Sequence, residues 1–276
     1  MTKSHSGGMR AALDAAVACY SARRFDQAAE ILDDVLPRIV SPQLPAAWVL
    51  YGDALIQVGR LNDAKKALTK AAELAPDNWT TWKSLGGVLA VLDQPERSRD
   101  ALLRATQLHQ GDAELWSNLG VIERRLGKTD SAIARHQQAI ATDPDYAPAW
   151  RNLGNAWRDT GAWDDAIGCY ERLVELRPGN ARDWTDLGVA YVGAQRRSEA
   201  REAFDRALAA DPDYIDAMYN LAIWHMGERD LRATGALYLR LKSLSPAAAT
   251  EMAELVAGAA TISVEEADVL MSTMSE

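Results

Sequence analysis

Apolar and polar positions repeat along most of this chain with the spacing of one helix face. In the stretch 147–180, Trp150, Leu153 and Trp157 fall at i, i+3 and i+7, which places them on one face of a first helix. Ala166, Tyr170 and Leu173 mark a second helix. Gly161 lies between the two sets, where a turn is required, and Pro178 stops the second helix because it lacks an N–H and clashes with the preceding turn. The pattern predicts a pair of antiparallel helices.

The same pattern returns along the chain. Trp48, Trp82, Trp116, Trp150 and Trp184 recur every 34 residues. Three and four residues after each comes an apolar–glycine pair: Tyr51-Gly52, Leu85-Gly86, Leu119-Gly120, Leu153-Gly154 and Leu187-Gly188. A sixth copy has Met218 and Leu221-Ala222. With Pro45 as position 1, position 20 is small: Ala64, Ser98, Ala132, Ala166, Ala200 and Thr234. Position 27 gives Ala71, Ala105, Ala139, Leu173, Ala207 and Leu241. Position 32 is proline at 76, 144, 178, 212 and 246, with Gln110 as the exception. Six copies stay in phase from Pro45 to Ala248 without an insertion.

Each residue type has a physical task. The glycine or alanine at position 8 lets the second helix approach closely, and Gly59, Gly127 and Gly161 sit at the turns. Asp77-Asn78 and Asp145, beside the prolines, are placed to cap the next helix. Each repeat tryptophan is expected to bury ~150–250 Å² and anchor the pair. Trp79 opens its repeat, outside this core pattern.

The pattern resembles the tetratricopeptide repeat (TPR), W-x2-L-G-x2-Y followed by alanine, an aromatic and proline. The copy Ala147–Asn180 fits best, and the resemblance covers roughly three quarters of the chain. It implies an all-α fold: a right-handed superhelical solenoid of about seven helix pairs plus a C-terminal capping segment. Residues 1–8 are expected to form a disordered tail, and 9–44 a degenerate first repeat carrying Phe25, Ala28, Leu32 and Val35, with two extra residues near Ser41-Pro42-Gln43. Residues 45–248 hold the six in-phase repeats, and 249–276 form a degenerate eighth repeat that seals the last apolar face. There Met252, Leu255, Val256 and Ala259 continue the first-helix spacing. Ser263 and Glu266 read as a capping box opening a helix with the apolar stripe Val264, Ala267, Met271 and Met274.

Composition narrows the function. With 48% hydrophobic and 25% charged residues and no long apolar run, the chain is expected to lack a membrane span, and the N-terminal residues lack the apolar core of a signal peptide. A cytoplasmic location follows as the expectation. The net charge of −9 disfavours nucleic acid as the main partner. Cys19 and Cys169 lie among helical apolar residues and read as reduced core cysteines. His136 and His225 occupy repeat positions usually filled by core aromatics, His109 ends a second helix, and no histidine or cysteine group has metal-ligand spacing. Leu85-Gly86-Gly87 belongs to the repeat and not to a phosphate loop. No catalytic residue, metal or cofactor is assigned, and the chain is read as a binding scaffold rather than an enzyme.

In the family that the chain resembles, first helices line a concave groove, and positions 2, 5, 6, 9, 12 and 13 point into it. The corresponding candidates for peptide binding are Lys83, Asn118, Arg124, Arg125, Arg151, Asn152, Asn155, Arg158, Arg182, Tyr219 and Asn220. Position 6 forms a near-ladder of Ser84, Asn118, Asn152, Asp186 and Asn220, similar to the asparagine ladder that holds extended peptides in O-GlcNAc transferases. An asparagine amide matches the donor and acceptor of a peptide unit. The arginines suit carboxylates. The alternative is a solvated face whose arginines pair with acids such as Asp159 and Asp186. The family's two-carboxylate clamp is incomplete, because Asp186 stands where an asparagine is required, and Asp216 and Asn220 where bases are. The expected ligand is an extended acidic peptide or protein segment, bound through acidic side chains or a C-terminal carboxylate. Two further readings remain: a self-assembling scaffold using its ends or its C-terminal methionines, which would form homo-oligomers, and a separate targeting subunit of an enzyme such as a glycosyltransferase.

Overall fold

A computed structural model describes residues 2–38, 44–260 and 262–274. All regular structure among them is helical, and it forms two compact units, Met1–Tyr146 and Ala147–Glu276. The first unit holds four helix pairs: α1 (Thr2–Ser21) with α2 (Phe25–Val35), α3 (Pro45–Val58) with α4 (Leu61–Leu74), α5 (Trp79–Val91) with α6 (Pro95–Leu108), and α7 (Ala113–Arg125) with α8 (Thr129–Thr142). The second holds α9 (Ala147–Asp159) with α10 (Trp163–Leu176), α11 (Ala181–Gly193) with α12 (Arg197–Ala210), α13 (Ile215–Gly227) with α14 (Leu231–Leu244), and α15 (Pro246–Ala260) with α16 (Val264–Thr273). The pairs thus number seven before the C-terminal α15–α16.

The six central pairs are built alike. Position 15 takes a left-handed backbone in every copy: Gly59, Gly127 and Gly161 at φ 82°, 72° and 77°, and Asp93, Gln195 and Arg229 at 57°, 61° and 60°. The next residue's amide then reaches back to the carbonyl of position 11, as in Arg60 N to Leu55 O at 2.9 Å and Arg196 N to Tyr191 O at 2.9 Å. This closes the first helix and satisfies one of its orphan carbonyls. Three of the first helices, α5, α7 and α11, start on a side-chain cap from the residue just before them. Asn78 Oδ1 accepts from the Thr80 amide at 3.0 Å, and Asp112 Oδ1 accepts from the Leu115 amide at 2.7 Å. Asp145 lies one residue too early for that place, because Tyr146 precedes α9.

The interior is a column of small residues and single large ones. Positions 20 and 27 are fully buried in all six copies. A Cβ on Gly86 would stand 2.6 Å from Leu102 Cγ, and one on Gly154 2.8 Å from the Tyr170 ring, so position 8 must be minimal where the position-24 side chain crosses it. The repeat tryptophans are less buried than their size suggests. Trp116 is buried, but Trp48, Trp82, Trp150 and Trp184 are half-buried. Their place is at the pair's edge, where the indole N–H closes the loop. Trp82 donates to Pro76 O at 3.0 Å, Trp116 to Gln110 O at 2.9 Å and Trp184 to Pro178 O at 2.8 Å.

The ends differ from expectation. The first helix starts at Thr2, inside the stretch assigned to a tail, since a helix once formed extends over weak formers at little cost. The two extra residues near Ser41-Pro42-Gln43 lie outside the described residues. Pro246 opens α15 as its first residue, where a missing N–H costs nothing. In α15, Ala249, Met252, Ala253, Val256 and Ala257 are buried while Leu255 and Ala259 face outward, so the packed face is rotated from the repeat's. The Ser263–Glu266 capping box is present, with Ser263 N donating to Glu266 Oε2 at 2.8 Å. Ala267 and Met271 are buried, but Val264 is exposed.

Candidate functional site

The candidate residues lie on the exposed face of the first helices, and the two units use that face differently. In the first unit, α3, α5 and α7 enclose a hollow of about 500 Å³. Ile56, Trp79, Gly87, Val88 and Val91 give it an apolar wall, and Lys83, Ser84, Glu114 and Asn118 give it a polar edge. Lys83 Nζ bridges Asp112 Oδ2 at 2.8 Å and Glu114 Oε2 at 2.6 Å. Burial works against its charge, but the two carboxylates outweigh that and hold the ammonium above its ordinary value. The Trp79 ring stacks on His109 at 4.3 Å. Arg125 donates to Ala90 O at 3.0 Å and pairs with Asp93, which ties the ends of α5 and α7 together. Arg124 stands partly exposed on α7.

In the second unit Arg151 holds the same repeat position as Lys83, yet its partners are more deeply buried. Its guanidinium pairs with Asp183 and reaches Asp186 Oδ2 at 3.5 Å. Asp183 is 0% exposed and is also held by Arg177 at 2.9 Å. Burial pushes the Asp186 carboxyl above its usual range, against the pull of Arg151, Arg182 and Arg158. Arg158 and Arg182 form no ion pair among the described residues. Asn155 Oδ1 accepts from the Tyr170 hydroxyl at 2.8 Å, and Asn220 donates to the Asp216 carbonyl of its own helix at 2.7 Å. Asn152 is half-buried on α9, and Tyr219 packs at the edge of the C-terminal core.

So several expected ligand groups are spoken for inside the protein: Lys83, Arg125, Arg151 and one atom each of Asn155 and Asn220. The cause is geometric, since a long cation at position 5 reaches the acids that open the following first helix. Sequence reading passed over Asp183, although position 3 is otherwise Ala47, Thr81, Leu115, Ala149 and Ala217, and a lone carboxylate in that series signals a buried pair. It also left Trp79 outside the core pattern, assigned Gly87 to the repeat, and passed over Val91 and Glu114. The histidines are structural. His136 is fully buried under Gly120, and burial, with the nearby Arg124 charge, lowers its pKa to about 4. His225 faces Asp230 at 3.3 Å. Cys19 and Cys169 are free and buried, and burial, with Asp165, pushes the Cys169 thiol up to about 12. Among the described residues no group of histidine, cysteine and carboxylate side chains could hold a metal ion, and no single helix is long and apolar enough to cross a membrane.

Sequence models described as tetratricopeptide repeat match residues 117–181 in one case and 45–88 and 181–224 in another, together more than half of the chain. The MamA crystal structure is 30% identical, with a TM-score of 0.56 over 58% of this chain and 94% of that one. The chain belongs to the tetratricopeptide-repeat family. YrrB, described as a TPR protein with an unusual peptide-binding site, is 24% identical with a TM-score of 0.56, over 63% of this chain and 90% of its own. The C-terminal part of a TPR repeat-containing protein from Cytophaga hutchinsonii reaches a TM-score of 0.73 over 87% of this chain and 98% of its own, at 13% identity, which speaks to the fold alone. No curated protein matches significantly. As a TPR protein the chain is a protein-interaction scaffold.

Proposed function

We propose that this scaffold has no catalytic role and holds an extended protein or peptide segment along the exposed face of its first helices, with acidic residues of that segment meeting Arg158 and Arg182. The observation that carries the reading is the contrast within the second unit. Arg151 is satisfied by Asp183 and Asp186, whereas Arg182 is exposed, Arg158 is half-exposed, and neither forms a direct ion pair among the described residues, though both lie within the field of Asp186. Two unpaired guanidinium forks suit carboxylates, including a C-terminal one. Asn118 in the first unit and Asn152 in the second each carry an amide whose donor and acceptor match a peptide unit, which supports backbone contacts to such a segment.

The test is fluorescence anisotropy with a short labelled peptide of alternating Glu and Ser. Binding is expected to weaken with salt, because exposed charges are screened within ~8–10 Å at physiological ionic strength. An Arg158→Gln/Arg182→Gln variant is expected to lose most of the binding and to melt only slightly lower, since both guanidiniums also favour the Asp186 charge without a direct ion pair. Undiminished affinity in that variant would remove the arginines from the site.

Self-assembly is supported by a separate observation. Met252 and Met271 are buried, but Leu255, Val264, Val269 and Leu270 are exposed on α15 and α16. Light scattering at two concentrations checks it. A mass that rises with concentration in the parent and not in Val269→Glu favours assembly, and a constant monomer mass rejects it.

A further inference from the structure

The hollow between α3, α5 and α7 contains a residue that the fold does not explain. Gly86 and Gly87 are neighbours in α5. A Cβ on Gly86 would strike Leu102, so packing requires that glycine. A Cβ on Gly87 would meet no atom within 4 Å, and its backbone is ordinary helix. Glycine in a helix interior is less stable than alanine by ~0.5–1 kcal/mol, so Gly87 weakens α5 with no return in packing. What it does is keep the hollow open. The other first helices of the central pairs carry Asp53, Val121, Asn155, Val189 and Ile223 at this position, and any of these side chains would project into that space.

The lining tells what fits. Ile56, Trp79, Val88 and Val91 supply apolar surface, and Val91 is 69% exposed. The hollow's volume, about 500 Å³, lies in the range of ~300–1,000 Å³ that ligand pockets occupy. The charge at its edge is one Lys83 against Asp112 and Glu114, which leaves a carboxylate in excess. Glu114 is the more exposed of the two and can turn toward a ligand.

We propose that this hollow is a subsite for one large apolar side chain of the bound segment, followed by a basic residue that meets Glu114. The inference deepens the groove reading and rests on it. It gives the first unit a different preference from the arginine-lined second unit.

The test is an NMR titration of the full chain with three capped dipeptides: acetyl-Leu-Lys-amide, acetyl-Leu-Glu-amide and acetyl-Ala-Lys-amide. The first is expected to shift the Gly87, Val88 and Val91 amides saturably. Replacing its leucine by alanine should weaken binding about tenfold or more, from the lost apolar burial. Replacing its lysine by glutamate should weaken binding about two- to fivefold, the scale of an exposed ion pair, and Glu114→Gln should erase that difference. Gly87→Leu, whose side chain fills the hollow, should abolish binding while the melting temperature does not fall. Gly87→Ala, which should melt higher than the parent, is the folding check. Shifts confined to other residues, or binding retained by a folded Gly87→Leu, would overturn the proposal. If the arginine variant above loses the acidic peptide while the dipeptides miss the hollow, the subsite is wrong and the groove reading stands. If both experiments fail, the groove reading falls with it.

Discussion

Lys83 and Arg151 occupy the same position of the repeat, two repeats apart, and the two units use them in opposite ways. Lys83 reaches the partly buried Asp112 and the exposed Glu114 at the start of the next first helix. Arg151 reaches under the surface to Asp183, which is 0% exposed, and on to Asp186. The two cations are about equally exposed, at 22% and 19%, and the difference lies in their partners, since Glu114 is 54% exposed and Asp183 not at all. A lysine ammonium is a compact, strongly hydrated point charge suited to a wet edge. A buried carboxylate needs its lone pairs filled, and the forks of Arg151 and Arg177 do this. The lesson is that a conserved geometry of helices leaves one position free to be a surface clasp in one unit and an internal strut in the other.

The largest expected effect tests this difference directly. Arg151→Met should destabilise the protein by ~3–5 kcal/mol, because it leaves Asp183 buried with one partner removed. Lys83→Met should cost at most ~1 kcal/mol, as its partners fall back on water. Denaturant unfolding of both variants checks the ranking, and equal losses would break the comparison.

The next effect separates the units by pH. Position 24 is Tyr170, Phe204 and Tyr238 in the second unit and Leu68, Leu102 and His136 in the first, and each is buried. Burial, helped by the Arg124 charge, lowers the folded pKa of His136 to about 4 from 6.5. The folded state therefore binds fewer protons than the unfolded chain between these values. The stability is fully present above pH 6.5 and is lost as pH falls toward 4. The full loss is on the order of 3 kcal/mol. His136→Phe should flatten this slope in unfolding curves taken across that range, and hydrogen exchange should show acid loosening α8 before α12. An unchanged slope in His136→Phe would show that other groups carry the acid response.

The smallest effect sharpens the account of the hollow. Gly86→Ala places a Cβ against Leu102 and should destabilise by ~1–3 kcal/mol through overpacking. Gly87→Ala should stabilise by ~0.5–1 kcal/mol. Opposite signs in thermal melts are the expected outcome, and two losses would mean that α5 has no open side at Gly87.

These cases show where sequence reading reaches its limit. The glycines at 59, 127 and 161 announced their turns, but Asp93, Gln195 and Arg229 adopt the same left-handed backbone without announcing it, because the surrounding helix pair imposes it. Gly86 and Gly87 are indistinguishable in the sequence, and only the position of Leu102 tells them apart. Asp183 was visible as a carboxylate in an otherwise uncharged column at position 3, a signal that alignment of the repeats against one another exposes. The arginines were read as residues of the first helices with pairing to acids such as Asp186 as the alternative, and Arg151 takes that alternative while also reaching the unforeseen Asp183.

By itself the sequence determined the phase of the repeat, the number of helix pairs, the small residues at positions 20 and 27 that become fully buried, and the capping box at Ser263. These follow from local rules, since a helix of 3.6 residues per turn fixes which side chains share a face whatever lies opposite. The tertiary structure alone decided which charges are satisfied and which face outward. Lys83 meets residues 29 and 31 positions away, and Arg151 meets one 32 away, on a neighbouring helix. Those distances depend on how closely the pairs stack, and the stacking is set by the packed side chains between them, which no single helix contains.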